Sequence, residues 1–298
     1  QLAGNVQEQA LINHLFEQSD GIVWVETHSH QSSEKILIDN MAEFARHDVK
    51  VLYMEHLQSD LHQSLLDDYF QSGKMPLRLN KYLEDQDFGH QINPSSRHTF
   101  SQLVREARRH GIRVIAVDCS ASYYPKSTPS ETPWLNRYEM FSYFASRTIR
   151  AHQAQNPGGK WIALTGNSHA NTFEGIPGLA ELEGAISVRV SDSAPGTSRG
   201  LRQDIGEIIP ADNKHANYRF LKNDYWLQID IPGTKPHLPA LSPSQTNNRL
   251  PAPGFFRLDS ASPQGAQLIH RSNNPEIVHT PLRTDANDQN FIERESWQ

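Results

Sequence analysis

Buried strands that end in acidic and histidine side chains are the feature that most constrains the fold of this chain. The stretch IVWVETHSH, residues 22–30, begins with apolar residues typical of a short buried strand and runs directly into Glu26, His28 and His30. A helical pattern starts only beyond this polar stretch. Because ligands of open α/β sheets bind outside the carboxyl ends of the strands, this ending indicates chemistry as well as packing.

Three later strands have the same kind of ending. VKVLYMEH runs into Glu55 and His56, IRVIAV ends at Asp118, and WIALT continues into GNSH, whose last residue is His169. Amphipathic helical patterns separate these strands, and such alternation is typical of parallel βαβ units. We therefore predict an α/β fold with a mainly parallel central sheet flanked by helices, in which all four endings gather along one edge.

Apolar residues at helical spacing predict five helices between and around the strands. Ser32 and Ser33 are suitable caps for the second of these helices. Two further strands are predicted over residues 185–190 and 225–231. The predicted helices cover residues 5–17, 34–45, 60–70, 99–110 and 138–153.

The pattern changes beyond residue 231. Half of the 18 prolines lie in that last segment, where periodic apolar positions are few. Such sequence is typical of an extended tail, a linker or a segment that wraps over a core. We predict an α/β domain over residues 1–231 and a proline-rich extended tail or linker over residues 232–298.

Charge and hydropathy argue against two classes of function. The formal net charge of −6 argues against nucleic-acid binding, because neutralising phosphates requires a basic surface. No apolar run approaches the roughly 18–20 residues that a membrane-spanning helix needs, so no transmembrane segment is predicted.

Glu26, His28, Glu55 and His169 are the candidates for a shared site. Carboxylate oxygens and imidazole nitrogens are ligands of divalent transition metals, and the same set can also serve as a metal-free acid–base site. Glu26 and His28 are two residues apart in extended backbone, so their side chains point the same way. We predict these four as catalytic residues and as ligands of a divalent metal. The further candidate ligands are His30, His56 and Asp118.

The same residues carry a resemblance to a known superfamily. ETH after the first strand, LYMEH at the second and the late GNSH resemble the Tiki, erythromycin esterase and ChaN-like haem-uptake superfamily. The phrases LYMEHLQSDLH, VDCSASYY and KWIALTGNSHANTF are most similar to the Tiki-type module of dermonecrotic, membrane-targeted bacterial toxins. The resemblance covers roughly residues 21–230. Val25 departs from the pattern, since many relatives have glycine before the glutamate.

The resemblance implies a module of a bacterial toxin or secreted effector with a Glu/His site at the carboxyl edge of the sheet. The expected activity is hydrolysis, either metal-dependent or based on Glu/His acid–base chemistry, with one glutamate as general base. Because the superfamily is functionally mixed, two alternatives stay open. One is a non-catalytic scaffold that docks on a membrane or a partner within a large toxin, and the other is haem binding.

The resemblance also implies where the chain acts and with what. The implied partners are other domains of a larger toxin chain and an unidentified substrate or host target. The implied location is secretion or delivery into host cells.

Overall fold

The computed structural model describes residues 2–93, 95–123, 133–210 and 218–234. The helices are α1 (Leu2–Gln18), α2 (Ser32–Asp39), α3 (Met41–Arg46), α4 (Ser59–Ser72), α5 (Leu77–Gly89), α6 (Phe100–Arg109), α7 (Ser120–Tyr123), α8 (Pro133–Gln155) and α9 (Leu179–Glu183). The strands are β1 (Gly21–Glu26), β2 (Val49–Gln58), β3 (Arg113–Asp118), β4 (Lys160–Gly166), β5 (Ile186–Ser193), β6 (Gly200–Gln203), β7 (Glu207–Pro210), β8 (Tyr218–Leu221) and β9 (Tyr225–Asp230). A 3-10 turn covers Asn167–His169.

Seven strands form one sheet in the order β3-β2-β4-β1-β5-β9-β6. Every neighbouring pair is parallel except β6 and β9, which are antiparallel. Strands β7 and β8 form a separate antiparallel pair. The predicted α/β fold with a mainly parallel sheet is confirmed, and the carboxyl ends of β1 to β4 lie at one edge of it.

Strand β1 lies inside the sheet, between β4 and β5, and all six of its residues are buried. Ile22 and Trp24 belong to a large core that includes side chains from α1 to α6, and we call this side of the sheet the α1 face. Val23 and Val25 belong to a smaller core with side chains from α8 and α9, and we call that side the α8 face. Because successive strand residues alternate between faces, the phase of each strand decides which side its last residues reach.

The second strand extends further than its sequence pattern predicts. Glu55 and His56 lie within β2, which continues to Gln58, rather than after its end. The register between β2 and β3 shifts between Met54 and Gln58. Glu55 and His56 still lie on opposite faces, because His56 packs on Phe100 of the α1 face while Glu55 contacts His169, which packs on Phe141 of the α8 face.

Two details of the helix after β1 differ from the prediction. The helix is broken at Asn40 into α2 and α3. Ser32 and Ser33 are buried within its first turn and do not cap it. The carboxylate of Asp192 on β5 caps the helix instead. It accepts hydrogen bonds from the backbone amides of Gln31 and Ser32 at 3.0 and 2.9 Å.

Helix α5, strand β6 and the β7–β8 pair have no counterpart among the predicted elements. Helix α8 begins at Pro133, earlier than the predicted start at Tyr138, and proline is well suited to the first turn of a helix. Residues 235–298, which form most of the predicted tail, lie outside the described residues. Within the described ranges, no helix is both long and apolar enough to cross a membrane.

Candidate functional site

Glu26 ends β1, and three histidines surround its carboxylate. Its Oε1 atom lies 3.4 Å from Nε2 of His28, 3.4 Å from Nε2 of His56 and 3.4 Å from Nδ1 of His90. The Glu26 side chain is 3% exposed, whereas the His28 side chain is 71% exposed. These four residues, which we call the Glu26 group, combine a buried carboxylate with an imidazole that solvent reaches.

Backbone bonds hold the Glu26 group together. His28 lies in the turn after β1, where Ser29 adopts a left-handed φ of 66° and donates its amide proton to the carbonyl of His90 at 3.0 Å. This bond ties the loop after β1 to the end of α5, and the His28 and His90 ring centroids are 4.3 Å apart. The carbonyl of His56 accepts a hydrogen bond from the Tyr82 hydroxyl at 2.9 Å.

Electrostatics in this group favour an ionised carboxylate beside a neutral imidazole. Burial raises the pKa of Glu26, but a hydrogen bond with His56, close contact with His90 and the charges of both rings outweigh burial and hold that pKa well below its usual range. Although His28 is exposed, the loss of part of its hydration beside the site lowers its pKa, and the Glu26 charge only partly offsets this. His28 is therefore neutral at pH 7 and able to accept a proton.

The donor atoms of Glu26, His28 and His90 fit a divalent metal. They lie within 4.8 Å of one another. Two bonds of about 2.0–2.1 Å at a tetrahedral angle would separate ligand atoms by about 3.4 Å, and the measured distances from Glu26 Oε1 to both histidines agree. His90 Nδ1 is buried, and within the described ranges it has no hydrogen bond of good geometry. Such an atom is available to a cation.

Glu55 lies on β2 and projects to the α8 face, in phase with Tyr53. Its Oε1 atom lies 3.2 Å from His169 Nε2, and its Oε2 atom accepts a hydrogen bond from the Gly166 amide at 2.9 Å. Gly166 ends β4 and His169 lies in the 3-10 turn that follows, so GNSH wraps around this carboxylate. The His169 ring packs on Phe141 of α8, with centroids 4.4 Å apart.

Arg137 joins Glu55 to Asp118. Its Nη2 atom lies 3.2 Å from Glu55 Oε1 and 2.7 Å from Asp118 Oδ2. Asp118 ends β3, is fully buried, and accepts hydrogen bonds from the Ser122 hydroxyl and the Cys119 amide. We call the connected set of Glu55, His169, Arg137 and Asp118 the Glu55 group.

Burial shifts the titration of every carboxylate and imidazole in the Glu55 group. Burial raises the pKa of Glu55, but His169 and Arg137 outweigh it, and the net effect lowers that pKa. Burial raises the pKa of Asp118 to about 6, although Arg137 opposes the rise. Burial lowers the pKa of His169 to about 4, so its imidazole is neutral at pH 7.

The four predicted site residues form two contact pairs at the sheet edge. Glu26 contacts His28, and Glu55 contacts His169. Of the further candidate ligands, His56 joins the Glu26 group, and Asp118 joins the Glu55 group through Arg137.

The third candidate, His30, is placed elsewhere in the loop after β1. Its Nδ1 atom accepts a hydrogen bond from the Asp192 amide at 3.1 Å. This bond connects the loop to β5, beside the carboxylate that caps α2.

His90 and Arg137 are site residues that the sequence patterns did not identify. His90 follows α5 in a polar segment, and no strand ending marks it. Arg137 lies one turn before Phe141 on α8, in line with Phe141 and Ala145 on the buried face. The four-residue spacing from Phe141 could have indicated that Arg137 faces the core. No such sequence pattern marks His90.

The fold and the two groups define an α/β domain with carboxylate–histidine sites at the carboxyl edge of a parallel sheet. The chain is 28% identical over 198 residues to a multifunctional-autoprocessing repeats-in-toxin protein of Vibrio vulnificus. That match covers 64% of this chain and 4% of the toxin, so the chain spans only a small part of the length of this relative. No protein-family model matches the chain.

Two solved structures share the fold. RRSP, a MARTX toxin effector domain from Vibrio vulnificus CMCP6, gives a TM-score of 0.51 at 24% identity and covers 61% of this chain and 35% of that chain. The type III effector HopBA1 gives a TM-score of 0.50 at 12% identity and covers 75% of this chain and 93% of that chain. The two structures confirm the fold, and the sequence match to a toxin confirms the predicted resemblance to a toxin module.

Proposed function

We propose that this chain is a hydrolase module of a bacterial toxin or secreted effector, delivered into host cells as part of a larger toxin chain. The observation that carries the activity is the Glu26 group, in which a buried, ionised carboxylate lies 3.4 Å from an exposed, neutral imidazole. The sequence match to a toxin supports the biological setting. The hydrolytic activity rests on the site alone.

His28 is the group best suited to take a proton from water. It is exposed and neutral, and the Glu26 carboxylate would stabilise the imidazolium that forms. The water oxygen then attacks an ester or amide carbonyl of the substrate, and the imidazolium returns its proton to the leaving group. We assign the two glutamates to orientation and charge stabilisation, because the lowered pKa of each makes its carboxylate a weak base.

A divalent metal at the same site would be an alternative to this scheme, because His28 would then be a ligand and not the base. Glu26, His28 and His90 would hold it, because their donor atoms converge. A bound metal would polarise a substrate carbonyl and make a bound water more acidic. Glu55 and His169, which were also predicted as ligands, contact each other at 3.2 Å, but among the described residues no third metal-ligating side chain converges with them as His90 does with Glu26 and His28. We therefore assign them to a second carboxylate–imidazole pair that supports the site.

Isotope incorporation tests hydrolysis before any substrate is identified. The purified chain would be incubated with eukaryotic cell lysate in water enriched in ¹⁸O, and lysate products would be analysed by mass spectrometry. Hydrolysis places one water oxygen in the product, so new ¹⁸O-labelled products are expected with the wild type. They should be absent with Glu26→Gln and His28→Ala, and present with His14→Ala, which changes an exposed histidine of α1.

Two outcomes would favour the other functions. Identical labelled products from wild type, Glu26→Gln and His28→Ala, all folded, would contradict catalysis at this site and favour a docking scaffold. A haem absorption band that appears on titration with haemin, and is lost in His28→Ala, would favour haem binding.

A further inference from the structure

One nitrogen of Arg137 contacts two carboxylates from different strands, of which Asp118 is fully buried and Glu55 is largely buried. Nη2 lies 2.7 Å from Asp118 at the end of β3 and 3.2 Å from Glu55 on β2. The exposed fractions of the side chains are 17% for Arg137, 14% for Glu55 and 0% for Asp118. Water therefore screens this contact weakly, and the charges act on one another strongly.

Asp118 holds the guanidinium in place. The Asp118 carboxylate is itself fixed by the Ser122 hydroxyl and by the Cys119 amide, which donates at 2.8 Å. The Phe141 ring lies 5.1 Å from the guanidinium carbon, one turn further along α8. Asp118 and Phe141 thus hold the guanidinium independently of its contact with Glu55.

Glu55 contacts that guanidinium and two further groups. Its Oε2 atom accepts from the Gly166 amide at 2.9 Å, while its Oε1 atom faces both His169 at 3.2 Å and Arg137 at 3.2 Å. Without Arg137, the fully buried Asp118 and the largely buried Glu55 carboxylates would share this region without the cation that now contacts both. A buried charge that loses its partner is strongly unfavourable, so one carboxylate would take up a proton or turn away.

We propose that Arg137 is a positioning residue that keeps the Glu55 carboxylate aimed at both His169 and the Gly166 amide, with Asp118 as its anchor. As a contribution to catalysis, this inference rests on the hydrolase function proposed above. Among the described residues, the ion pairs of Arg137 are with Glu55 and Asp118 and not with the Glu26 group. Arg137 therefore acts through Glu55.

The Gly166 amide gives a readout that needs no substrate. Hydrogen exchange at this amide, followed by NMR on deuterated protein, reports its bond to the Glu55 carboxylate. Because charge-assisted hydrogen bonds are about twice as strong as neutral ones, exchange should be about 10-fold faster in Arg137→Gln. In Arg137→Lys, which keeps the charge, it should lie between wild type and Arg137→Gln.

Arg147 provides the matched control. It lies on the same helix, is exposed, and donates a hydrogen bond to the Tyr143 hydroxyl at 2.9 Å. Arg147→Gln should leave Gly166 exchange and ¹⁸O labelling unchanged. If Arg137→Gln does not fold, Asp118→Asn replaces it, because loss of the anchor should accelerate Gly166 exchange in the same direction.

The two readouts separate failure of this inference from failure of the proposed function. Unchanged Gly166 exchange in a folded Arg137→Gln or Asp118→Asn variant would overturn the inference, whatever the activity. Full ¹⁸O labelling by a folded Arg137→Gln variant would overturn it as well. Absence of labelling by the wild type, with exchange accelerated in Arg137→Gln as expected, would reject the hydrolase and leave the positioning of Glu55 supported.

Discussion

Glu55 and His56 are consecutive residues of β2, yet their side chains belong to different groups on opposite faces of the sheet. Glu55 Oε1 lies 3.2 Å from His169 Nε2, and His56 Nε2 lies 3.4 Å from Glu26 Oε1. The alternation of side chains along a strand produces this arrangement. One peptide bond therefore connects the Glu26 group and the Glu55 group. Any displacement of this part of β2 would change the contacts of both groups.

Metal binding should depend on His28 and His90 and not on His169. We expect Zn²⁺ titrated by calorimetry at pH 7.5 to bind at least about 10-fold more weakly to His28→Ala and to His90→Ala, because each change removes a ligand. His169→Ala should bind as the wild type does, and so should His14→Ala. Weaker binding in His169→Ala with unchanged binding in His90→Ala would place the metal on the Glu55 group.

The same binding should weaken in acid. Protonated imidazoles cannot ligate a metal, and an unperturbed histidine titrates near about pH 6.5. Because partial loss of hydration lowers the pKa of His28, competition from protons at this ligand should set in below that pH. Calorimetry repeated at falling pH measures the effect, and affinity that is constant from pH 7.5 to 5 would argue against histidine ligands.

Glu34 should make the protein less stable as the pH rises. Its side chain is fully buried, and neither carboxyl oxygen has a hydrogen-bond partner within the described ranges. Burial, and next the Glu26 charge, raise its pKa well above the ordinary value of 4.5. The folded state thus binds this proton more tightly than the unfolded state. The resulting stability is complete below pH 4.5 and is lost as the pH rises toward the folded pKa.

Glu34→Gln tests this directly, because glutamine cannot ionise. Urea unfolding at pH 5, 6 and 7 should show the free energy of unfolding of the variant rising relative to wild type, by up to about 1.4 kcal/mol per pH unit. Glu17→Gln, on the exposed side of α1, serves as the control for loss of one carboxylate. A difference between Glu34→Gln and wild type that is the same at all three pH values would contradict the expectation.

The proline-rich segment should be dispensable for the α/β domain. A chain that ends at Pro236 keeps every described strand and both site groups. Sequence with few periodic apolar positions buries too little apolar surface to offset the entropy of ordering it. We expect the shortened chain to unfold cooperatively in urea, monitored by circular dichroism, and to bind Zn²⁺ as the full chain does. Loss of cooperative unfolding would show that the tail is an integral part of the fold.

Local sequence was sufficient for most of the sheet. The apolar run before Glu26 predicted β1 because a buried parallel strand needs apolar residues on both faces. The start of helix α6 was also predicted from local sequence. Thr99 caps this helix, and its hydroxyl accepts a hydrogen bond from the Gln102 amide at 3.2 Å. The β7–β8 pair was not predicted, since such short strands carry too few residues to show a period.

The sequence by itself determined that Glu26, Glu55, Asp118 and His169 lie along one edge of a parallel sheet. The reason is that the alternation of strands and helices can be recognised from the pattern of apolar residues close together in the chain. Only the tertiary structure decided which of them touch. Strand register pairs Glu26 with Gly166 across β1 and β4, and the phase of β2 sends Glu55 and His56 to opposite faces. Arg137 lies on α8 and His90 directly follows α5, and the packing of these helices against the two faces brings both residues to strands that are distant in sequence.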